Sequence, residues 1–413
     1  MLFTYRLLIN IILILSPLII IFRILKKKES LKRFKEKLCL PTRKRNNGNL
    51  VWFHGASVGE LNSVIPIIYK LEKNNQINQI LVTSNTLSSS EIINKYNFKK
   101  LTHQFFPIDS NLMTKIFLNY WKPSCAFFID SEVWPNMICN LSKKKIPIVL
   151  LNGRITKKTY NRWRLHNSFA RFIFKKFDLC LASSLDSFKL LKKLGVNNLK
   201  LVGNLKFTKF ENEKDLINKK LKKFFKSKKV WCASSTHESE EIFCGKIHNI
   251  LKKKYNNLLT IIIPRHIHRV KLIEKNLKKL GLKVHTHSSK IKIENNLDVY
   301  LVDKFGLTKS FYQNTKNVFL GGSLINHGGQ NPIEAIRYGC NILHGPNVSN
   351  FDEIYNLSKK LKTSHKVNGL DDAVSILKKL FNQKKNSNYV KKKFELIGKN
   401  ILSKTYKEIK SFI

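Results

Sequence analysis

The residues VFLGGSLINHGGQNPIEAIRYG, from Val318 to Gly339, combine an apolar run, a glycine-rich loop and a helix start. The apolar run ends at Gly322 and Ser323, and the loop then leads to the helix-start sequence NPIE at residues 331–334. Asn, Pro and Glu are common at the start of a helix, so Glu334 has a purely structural explanation. Paired glycines allow a ligand to approach the backbone closely, which a helix start does not require. The stretch therefore predicts an α/β unit that holds a nucleotide ribose or phosphate over this loop.

The rest of the chain alternates short apolar runs with longer amphipathic ones, a pattern that predicts parallel sheets covered by helices. The predicted strands lie at 50–54, 80–83, 126–129, 147–151, 179–182, 199–202, 230–233, 258–263, 283–285, 299–302, 318–320 and 341–343. A Lys-rich run at 211–229 interrupts the alternation and indicates an interdomain linker. Two Rossmann-like domains in series are typical of a GT-B glycosyltransferase, whose active site lies in the cleft between the carboxyl ends of both sheets.

The domain boundaries that follow are a membrane anchor at 1–25, a basic linker at 26–49, a first Rossmann-like domain at 50–210, the linker at 211–229 and a second Rossmann-like domain at 230–413. In a GT-B enzyme the first domain binds the acceptor and the second binds the nucleotide sugar. Fold alone does not establish function, so the residues at the strand ends must provide the evidence.

The chain is strongly basic, with 76 Lys and Arg against 27 Asp and Glu and a formal net charge of +49. Such a charge fits compositional drift on solvated faces best, and it also fits attraction to a phosphorylated lipid or an anionic bilayer. No zinc-finger spacing, basic zipper or aromatic RNA-binding strand occurs, so no specific nucleic-acid partner is predicted. The seven cysteines are scattered, which predicts reduced thiols rather than disulfides or a structural zinc site.

The first 25 residues contain a nearly continuous apolar run between Arg6 and Arg23. A spanning helix needs roughly 20 apolar residues, so both a spanning and a monotopic anchor remain open. Basic residues concentrate after the run, and by the positive-inside rule this places the bulk of the protein on the cytoplasmic side of the membrane.

Charged residues follow three strands of the first domain. In VWFHGASVGE, at 51–60, Glu60 begins a helix, where the helix dipole alone explains a carboxylate. As a general base, Glu60 would need burial to oppose the lowering of its pKa by that dipole. Asp130 and Glu132, in FFIDSEVWPNMI, fit a paired-carboxylate site and equally fit turn and N-cap residues. Lys206, in LVGNLKFT, follows a strand and could contact a phosphate or carboxylate.

Two motifs of the second domain carry groups that bind anions. WCASSTHESEE, at 231–241, ends a strand in hydroxyls and backbone N–H groups, and Ser235 with Glu238 also fits a capping box. IIIPRHIHRV, at 261–270, presents Arg265, which can bind a phosphate or carboxylate with two hydrogen bonds. The histidines of this region match no zinc or iron ligand spacing, so we predict neither a metal requirement nor a cofactor.

Taken in order, these motifs resemble the 3-deoxy-D-manno-octulosonic acid (Kdo) transferases of lipopolysaccharide biosynthesis. The motifs that carry the resemblance are VWFHGASVGE, HQFFPID, DSEVWPN, LNGRITKKTY, VGNLKF, SSTHESEE, PRHIHR, GGSLINHGGQNPIE and GPNVSNFDEI. The resemblance implies an inverting transfer of Kdo from CMP-Kdo to the glucosamine disaccharide of a lipid A precursor at the inner membrane.

The same resemblance assigns roles to individual residues. It implies that Glu60 is the general base and that Asp130 and Lys206 stabilise the transition state. At the position of Asp130, the family usually has Glu. The residues that it implies for CMP-Kdo binding are Pro264, Arg265, Phe305, Gly306, Leu307, Asn331, Pro332, Ile333 and Glu334. Further candidate site residues are Ser57, Glu132, Ser235, Thr236, His237, Gly322 and Ser323.

Two residues depart from the family pattern. Leu307 stands where a Gly-Glu pair would place a carboxylate against the nucleotide, and Gln330 replaces a usual His in the glycine loop. Two other functions remain open: a GT-B transferase with a different nucleotide sugar, and a non-catalytic, membrane-tethered protein that binds polyanions.

Overall fold

The computed structural model describes residues 1–208, 215–383 and 387–413. The chain divides into two compact units, residues 1–209 with 397–413 and residues 210–396. Within the described residues, each unit contains one seven-stranded sheet in which every pairing is parallel. Helices connect the strands. The predicted α/β architecture of two Rossmann-like units is therefore confirmed.

The chain begins with an apolar helix, α1, at Leu2–Leu25, as the sequence predicts. Its length and composition are sufficient to cross a membrane. The predicted basic linker follows and contains a 3₁₀ turn at Phe34–Leu38.

The first unit has strands and helices in regular alternation. Its strands are β1 (Leu50–His54), β2 (Gln79–Ser84), β3 (Leu101–Phe105), β4 (Cys125–Ile129), β5 (Ile148–Gly153), β6 (Leu179–Ala182) and β7 (Leu199–Leu201). Its helices are α2 (Val58–Glu72), α3 (Leu87–Asn94), α4 (Asn111–Trp121), α5 (Pro135–Lys143), α6 (Lys157–Arg164), α7 (Asn167–Phe174) and α8 (Leu185–Lys193). A 3₁₀ turn at Leu205–Phe207 follows the last strand.

The second unit repeats the alternation. Its strands are β8 (Lys229–Thr236), β9 (Leu258–Pro264), β10 (Val284–Thr286), β11 (Val299–Leu301), β12 (Asn317–Leu320), β13 (Asn341–His344) and β14 (Ser364–Lys366). The helices from the start of this unit onward are α9 (Lys219–Lys226), α10 (Glu240–Lys252), α11 (Val270–Lys279), α12 (Thr308–Asn314), α13 (Ile333–Arg337), α14 (Asp352–Lys360), α15 (Leu370–Asn382) and α16 (Ser387–Ile409).

Each sheet has one position where the strand order reverses. The orders are β3-β2-β1-β4-β5-β6-β7 and β10-β11-β9-β8-β12-β13-β14, so the reversals lie between β1 and β4 and between β8 and β12. Ligands of open α/β sheets bind outside the carboxyl ends of the strands at such positions. The loops after β1, β4, β8 and β12 are therefore where a site is expected.

The strands at these reversals are buried because helices flank a parallel sheet. All five residues of β1 are buried. In the first unit, the ring of Trp52 lies 5.0 Å from that of Phe117 and 5.5 Å from that of Phe128. These apolar contacts fix the strand ends that carry the polar loops.

The structure contains all twelve predicted strands and adds β3 and β14. In the predicted linker, residues 219–226 form helix α9, which buries Leu221 and Phe225, whereas residues 211–214 lie outside the described residues. Residues 397–413 belong to the first unit, although the sequence pattern extends the second domain to the end of the chain.

Candidate active site

Glu60 lies in the first turn of α2, immediately beyond the carboxyl end of β1. Ser57 is the N-cap residue of this helix and forms a capping box with Glu60. Ser57 Oγ donates to Glu60 Oε1 at 2.7 Å, and the Ala56 backbone N–H donates to Glu60 Oε2 at 2.7 Å. The helix-start explanation is therefore correct for Glu60, and it fixes the position of the carboxylate.

Burial raises the pKa of the Glu60 carboxyl above its ordinary value. The hydrogen bond from Ser57 opposes this rise, while the negative charges of Glu132 and Asp130 add to it. Burial thus outweighs the groups that favour the charged form, the condition that a general base at this position needs. The three acids follow the carboxyl ends of β1 and β4, which pair directly in the sheet.

Asp130 directly follows β4 and holds two side chains from distant parts of the first unit. Lys206 Nζ lies 2.7 Å from Asp130 Oδ2, and the Asn152 side-chain amide donates to Asp130 Oδ1. The Asp130 backbone has a φ of +56°, a conformation that Asp adopts more readily than most residues. Asp130 therefore positions the Lys206 ammonium at the sheet edge.

Glu132 is bound by neighbouring rings. Its Oε2 accepts a hydrogen bond from Trp134 Nε1 at 2.8 Å and lies 3.1 Å from His54 Nε2. The Trp134 and His54 side chains therefore hold the Glu132 carboxylate in place, and Glu132 is not an N-cap residue. Helix α5 has Trp134 as its N-cap residue, without a side-chain cap.

The glycine loop of the second unit surrounds a carboxylate that the sequence analysis did not single out. Glu240, fully buried in the first turn of α10, accepts backbone N–H bonds from His237 and Gly322 through Oε2, at 2.9 and 2.7 Å. Its Oε1 accepts N–H bonds from Ser323 and Leu324, each at 3.1 Å. Four donors of the predicted anion-binding region are thus directed at an internal carboxylate.

The predicted capping box of Ser235 and Glu238 is wrong. Strand β8 continues to Thr236, and α10 begins only at Glu240, with Ser239 as an N-cap residue that makes no side-chain cap. Ser235 has a φ of +53°, so the chain turns sharply at the strand end instead of entering a helix.

Several imidazoles gather beside the glycine loop. The ring centres of His237 and His327 are 4.5 Å apart, and those of His237 and His266 are 5.8 Å apart. Burial, with the positive charges of its neighbours, lowers the pKa of His237 to about 4. His237 is therefore neutral at pH 7, and its Nε2 lies 3.2 Å from the side-chain nitrogen of Gln330, the residue that departs from the family pattern.

Pro264 and Arg265 reach the same edge. Pro264 is the last residue of β9, and the Arg265 backbone N–H donates to the Thr236 carbonyl at 3.0 Å. The Arg265 side chain is exposed. Arg265 therefore lies at the carboxyl end of β9, bonded through its backbone to the end of β8.

The other residues that are predicted to bind the nucleotide lie in two segments of the second unit. Phe305 is exposed and Gly306 has a φ of +86°, whereas Leu307 is buried. Helix α12 follows, and Lys309 Nζ lies 3.7 Å from Glu334 Oε1. Because its side chain is buried, Leu307 is a packing residue here.

The NPIE helix starts one residue later than the sequence predicts. Pro332 is the N-cap residue of α13, and Asn331 Oδ1 accepts the Ile333 backbone N–H at 3.1 Å. Pro332 and Ile333 are buried, while Asn331 is exposed and Glu334 half-exposed. Asn331 and Glu334 are thus the side chains of this turn that a ligand could contact.

The structure therefore forms two clusters, each within one unit. Glu60, Asp130, Glu132 and Lys206 lie at the carboxyl edge of the first sheet, and the predicted nucleotide residues lie in loops at strand ends of the second unit. Among the residues that the structure describes, no three His, Cys, Asp or Glu side chains form a group able to hold a metal ion. The absence of a metal requirement stays a prediction.

Four residues of the two sites lie in the quoted motifs but were not predicted to have a role: Asn152, His54, Trp134 and Glu240. Two features of the sequence could have indicated Glu240. It is an acid at a helix start that follows a strand, and the same domain has a glycine-rich strand end, with free N–H groups, after β12. The contact between them depends on strand order, which a single sequence does not display.

Comparison with known proteins identifies the relatives of this chain. Residues 32–209 match the family model described as 3-deoxy-D-manno-octulosonic-acid transferase (kdotransferase). The 3-deoxy-D-manno-octulosonic acid transferase of Rickettsia bellii is 33% identical over 394 residues, which cover 92% of each chain. A probable mitochondrial 3-deoxy-D-manno-octulosonic acid transferase of Arabidopsis thaliana is 33% identical, covering 85% of this chain and 82% of that protein.

Similar solved structures support the fold. The putative UDP-N-acetylglucosamine 2-epimerase of Listeria monocytogenes has a TM-score of 0.59 at 10% identity, covering 88% of this chain and 98% of that one. The UDP-GlcNAc 2-epimerase of Neisseria meningitidis has a TM-score of 0.56 at 16% identity, covering 87% and 100%. At these identities the likeness shows the GT-B-like fold alone.

Proposed function

This chain belongs to the 3-deoxy-D-manno-octulosonic acid transferase family, and on that premise we propose that it transfers Kdo from CMP-Kdo to the glucosamine disaccharide of a lipid A precursor. The reaction inverts the anomeric centre and uses Glu60 as its general base. The observation that carries the proposal is the cluster of Glu60, Asp130 and Lys206 at the carboxyl edge of the first sheet. Relatives that are named 3-deoxy-D-manno-octulosonic acid transferases support the activity.

The proposed chemistry is one displacement at the anomeric carbon of Kdo. An acceptor hydroxyl oxygen forms the new bond to this carbon while the bond from the carbon to the CMP phosphate oxygen breaks. The hydroxyl proton moves to Glu60, and CMP leaves with the electron pair of the broken bond. A base is most effective when its pKa approaches the working pH, so the raised pKa of Glu60 favours this role.

Lys206 supplies positive charge as negative charge develops on the donor. Its ammonium is held 2.7 Å from Asp130, which is itself held by Asn152. A cation fixed in advance stabilises developing charge without reorganisation during the reaction. Asp130 is in this proposal the residue that positions the cation.

The CMP moiety is assigned to the second unit. Arg265 would bind the phosphate or the Kdo carboxylate, since a guanidinium binds such planar groups with two hydrogen bonds. Glu334 would accept a hydrogen bond from a ribose hydroxyl, and Asn331 and the backbone of Phe305 and Gly306 would make further contacts. Glu240 occupies the N–H groups of the glycine loop, so its role is to set the shape of that loop.

The proposed location is the cytoplasmic face of the inner membrane. The support is helix α1, which is long and apolar enough for a membrane, together with the basic residues that follow it. The acceptor is an anionic lipid, so a basic chain at an anionic surface also suits substrate capture.

The testing experiment measures turnover of a lipid A precursor with CMP-Kdo generated in the assay. Wild type is compared with Glu60→Gln and with Glu91→Gln, a matched change at an exposed residue of α3. We expect product from wild type and from Glu91→Gln, and a loss of about 100-fold or more in Glu60→Gln. Full activity of Glu60→Gln would move the base elsewhere, and an inactive, folded wild type would refute the transfer reaction.

A further inference from the structure

Glu132 is held by the protein at only one of its two carboxylate oxygens. Trp134 Nε1 donates to Glu132 Oε2 at 2.8 Å, and His54 Nε2 lies 3.1 Å from the same oxygen. Within the part of the chain that the structure describes, no group donates a hydrogen bond to Glu132 Oε1. The Glu132 side chain is 14% exposed, whereas that of His54 is fully buried. One oxygen is therefore fixed, and the other can accept a hydrogen bond from a ligand.

The His54 ring is itself held by the core of the first sheet. It stacks on Phe106, with 3.8 Å between the ring centres, and its Nδ1 lies 2.9 Å from Thr83 Oγ1. Trp52 Nε1 donates to the same Thr83 oxygen at 2.9 Å, which leaves the hydroxyl proton of Thr83 available to His54 Nδ1. A carboxylate only accepts hydrogen bonds, so His54 Nε2 is the donor to Glu132. The orientation of the ring, and through it that of the carboxylate, is thus set before any substrate binds.

A second His–carboxylate pair shows what this arrangement looks like where both oxygens serve the fold. His248 Nδ1 lies 2.8 Å from Thr260 Oγ1, and His248 Nε2 lies 3.2 Å from Asp298 Oδ1. The second oxygen of this acid is used as well, since Oδ2 accepts the Lys283 backbone N–H at 2.9 Å. The Asp298 side chain is only 3% exposed, and it precedes β11 at the amino edge of its sheet. Glu132 differs in its unused oxygen, its greater exposure and its place at the carboxyl edge.

An aromatic side chain adjoins the Glu132 carboxylate. The Trp134 ring is half-buried, and its centre lies 5.3 Å from that of Phe106. Because the indole N–H is already bonded to Glu132, the rest of this ring offers only apolar surface. Binding sites for small molecules combine such apolar surface with a few fixed hydrogen-bonding groups. A sugar suits this pair of residues, since its C–H groups can pack on the ring while one hydroxyl donates to the carboxylate.

We propose that Glu132 is a specificity residue of the transfer reaction, in which its unused oxygen accepts a hydrogen bond from a hydroxyl of the Kdo that is being transferred. His54 and Trp134 are the positioning residues that hold the carboxylate for this contact. The inference rests on the proposed function, which brings the anomeric carbon of Kdo to this edge of the first sheet. A hydrogen bond to a charged acceptor is stronger than one to a neutral acceptor, so Glu132 would discriminate against a donor sugar that lacks the hydroxyl.

The test compares CMP-Kdo with a series of analogues that each lack one Kdo hydroxyl, in wild type and in Glu132→Ala. In wild type we expect one analogue to lose about tenfold or more in kcat/KM. In Glu132→Ala, that analogue and CMP-Kdo should react within about twofold of each other, because the partner of the hydroxyl is gone. If no analogue loses activity in wild type, or if the losses are equal in both enzymes, the inference is wrong. No turnover of CMP-Kdo by folded wild type would refute the proposed function, and the inference with it.

The positioning role is tested at His54 with the same analogue. His54→Phe keeps a ring to stack on Phe106 but removes both hydrogen bonds, whereas His54→Gln keeps an N–H donor for Glu132. We expect His54→Phe to lose most of the discrimination against the analogue and His54→Gln to retain most of it. His248→Phe, the same change in the other pair, is the control, and it should lower the melting temperature without changing the discrimination. Wild-type discrimination in His54→Phe would show that this ring does not position Glu132.

Discussion

The Glu240 carboxylate and the backbone N–H of Gly322 are joined by a 2.7 Å hydrogen bond across 82 positions of sequence. The same carboxylate accepts three further backbone N–H groups, so it links the loop after β8 to the loop after β12. Gly321 permits this approach, since a Cβ there would lie 2.6 Å from Glu240 Oε2. The acid thus determines the shape of the predicted nucleotide loop from inside.

Replacing Glu240 should cost stability. Glu240→Ala leaves four N–H groups without an acceptor, three of them buried and that of Leu324 partly buried, and each unpaired buried group costs about 1–3 kcal/mol. We expect the free energy of unfolding to fall by at least about 3 kcal/mol, measured by denaturant titration. Glu238→Ala, at an exposed position two residues earlier, is the matched control and should be nearly neutral. Equal stability of both variants would contradict the structural role of Glu240.

Glu240→Gln separates stability from donor binding. The amide keeps one acceptor oxygen but turns an NH₂ group toward N–H donors, so the loop should distort while the second unit still folds. We expect the KM for CMP-Kdo to rise about tenfold or more, with a smaller change in kcat. An unchanged KM would show that the loop does not bind the donor.

The sequence predicted the sheets better than the site. Most of the predicted strands, such as those that became β4 and β9, carry the apolar runs that parallel, buried strands require. The two that were missed are β3, LTHQF, and β14, SHK, in which polar residues interrupt or replace the apolar pattern. Strand β3 nevertheless buries His103, which bonds Ser84 and Arg33, so hydrogen bonds replace apolar contacts there.

The predicted catalytic residues of the first unit come together because each follows a strand of one parallel sheet. Glu60, Asp130 and Lys206 follow β1, β4 and β7, and parallel strands present their carboxyl ends at one edge. The partners Asn152 and Trp134 could not be assigned from sequence, because hydrogen-bond direction depends on loop geometry. The Ser235 capping box failed for another reason: β8 continues three residues beyond the predicted strand end, to Thr236, so the helix starts later.

The Lys206–Asp130 pair should act as one unit in catalysis. Lys206→Met removes the cation, and Asp130→Asn removes the charge that positions it. We expect each change to lower kcat about 100-fold, and the double variant to lose little more than either alone. Lys193→Met, an exposed residue of α8, should keep wild-type turnover. Multiplicative losses in the double variant would show that the two residues act independently.

The pH dependence of kcat/KM should report the raised pKa of Glu60. A base must be deprotonated, so activity is present above its pKa and is lost as pH falls through it. Since burial and the neighbouring acids raise that pKa, the acid limb should lie above the range of an ordinary glutamate. An acid limb at an ordinary glutamate pKa would contradict the assignment of Glu60.

Two variants should move this limb in opposite directions. Glu132→Gln removes a negative charge that raises the pKa of Glu60, so the limb moves to lower pH. Ser57→Ala removes a hydrogen bond that lowers this pKa, so the limb moves to higher pH. The measurement is the pH profile of kcat/KM for both variants beside wild type. Shifts in the same direction would mean that the profile belongs to another group.

Leu307 offers a prediction about the departure from the family pattern. If a carboxylate at this position contacted the nucleotide here, Leu307→Glu would lower the KM for CMP-Kdo. The Leu307 side chain is buried at the start of α12, however, and burying a charge without a partner is strongly unfavourable. We therefore expect Leu307→Glu to lower the melting temperature by several degrees and to leave donor affinity unimproved.

Leu307→Met is the control for this change, since it conserves volume and polarity and should cost less than about 1.5 kcal/mol. Both variants are measured by thermal unfolding and by the KM for CMP-Kdo. A stable Leu307→Glu enzyme with tighter donor binding would mean that the side chain turns toward the nucleotide. We expect that only Leu307→Glu destabilises the enzyme. Binding of CMP-Kdo at this segment would then depend on the backbone of Phe305 and Gly306, which is present whichever side chain stands at position 307.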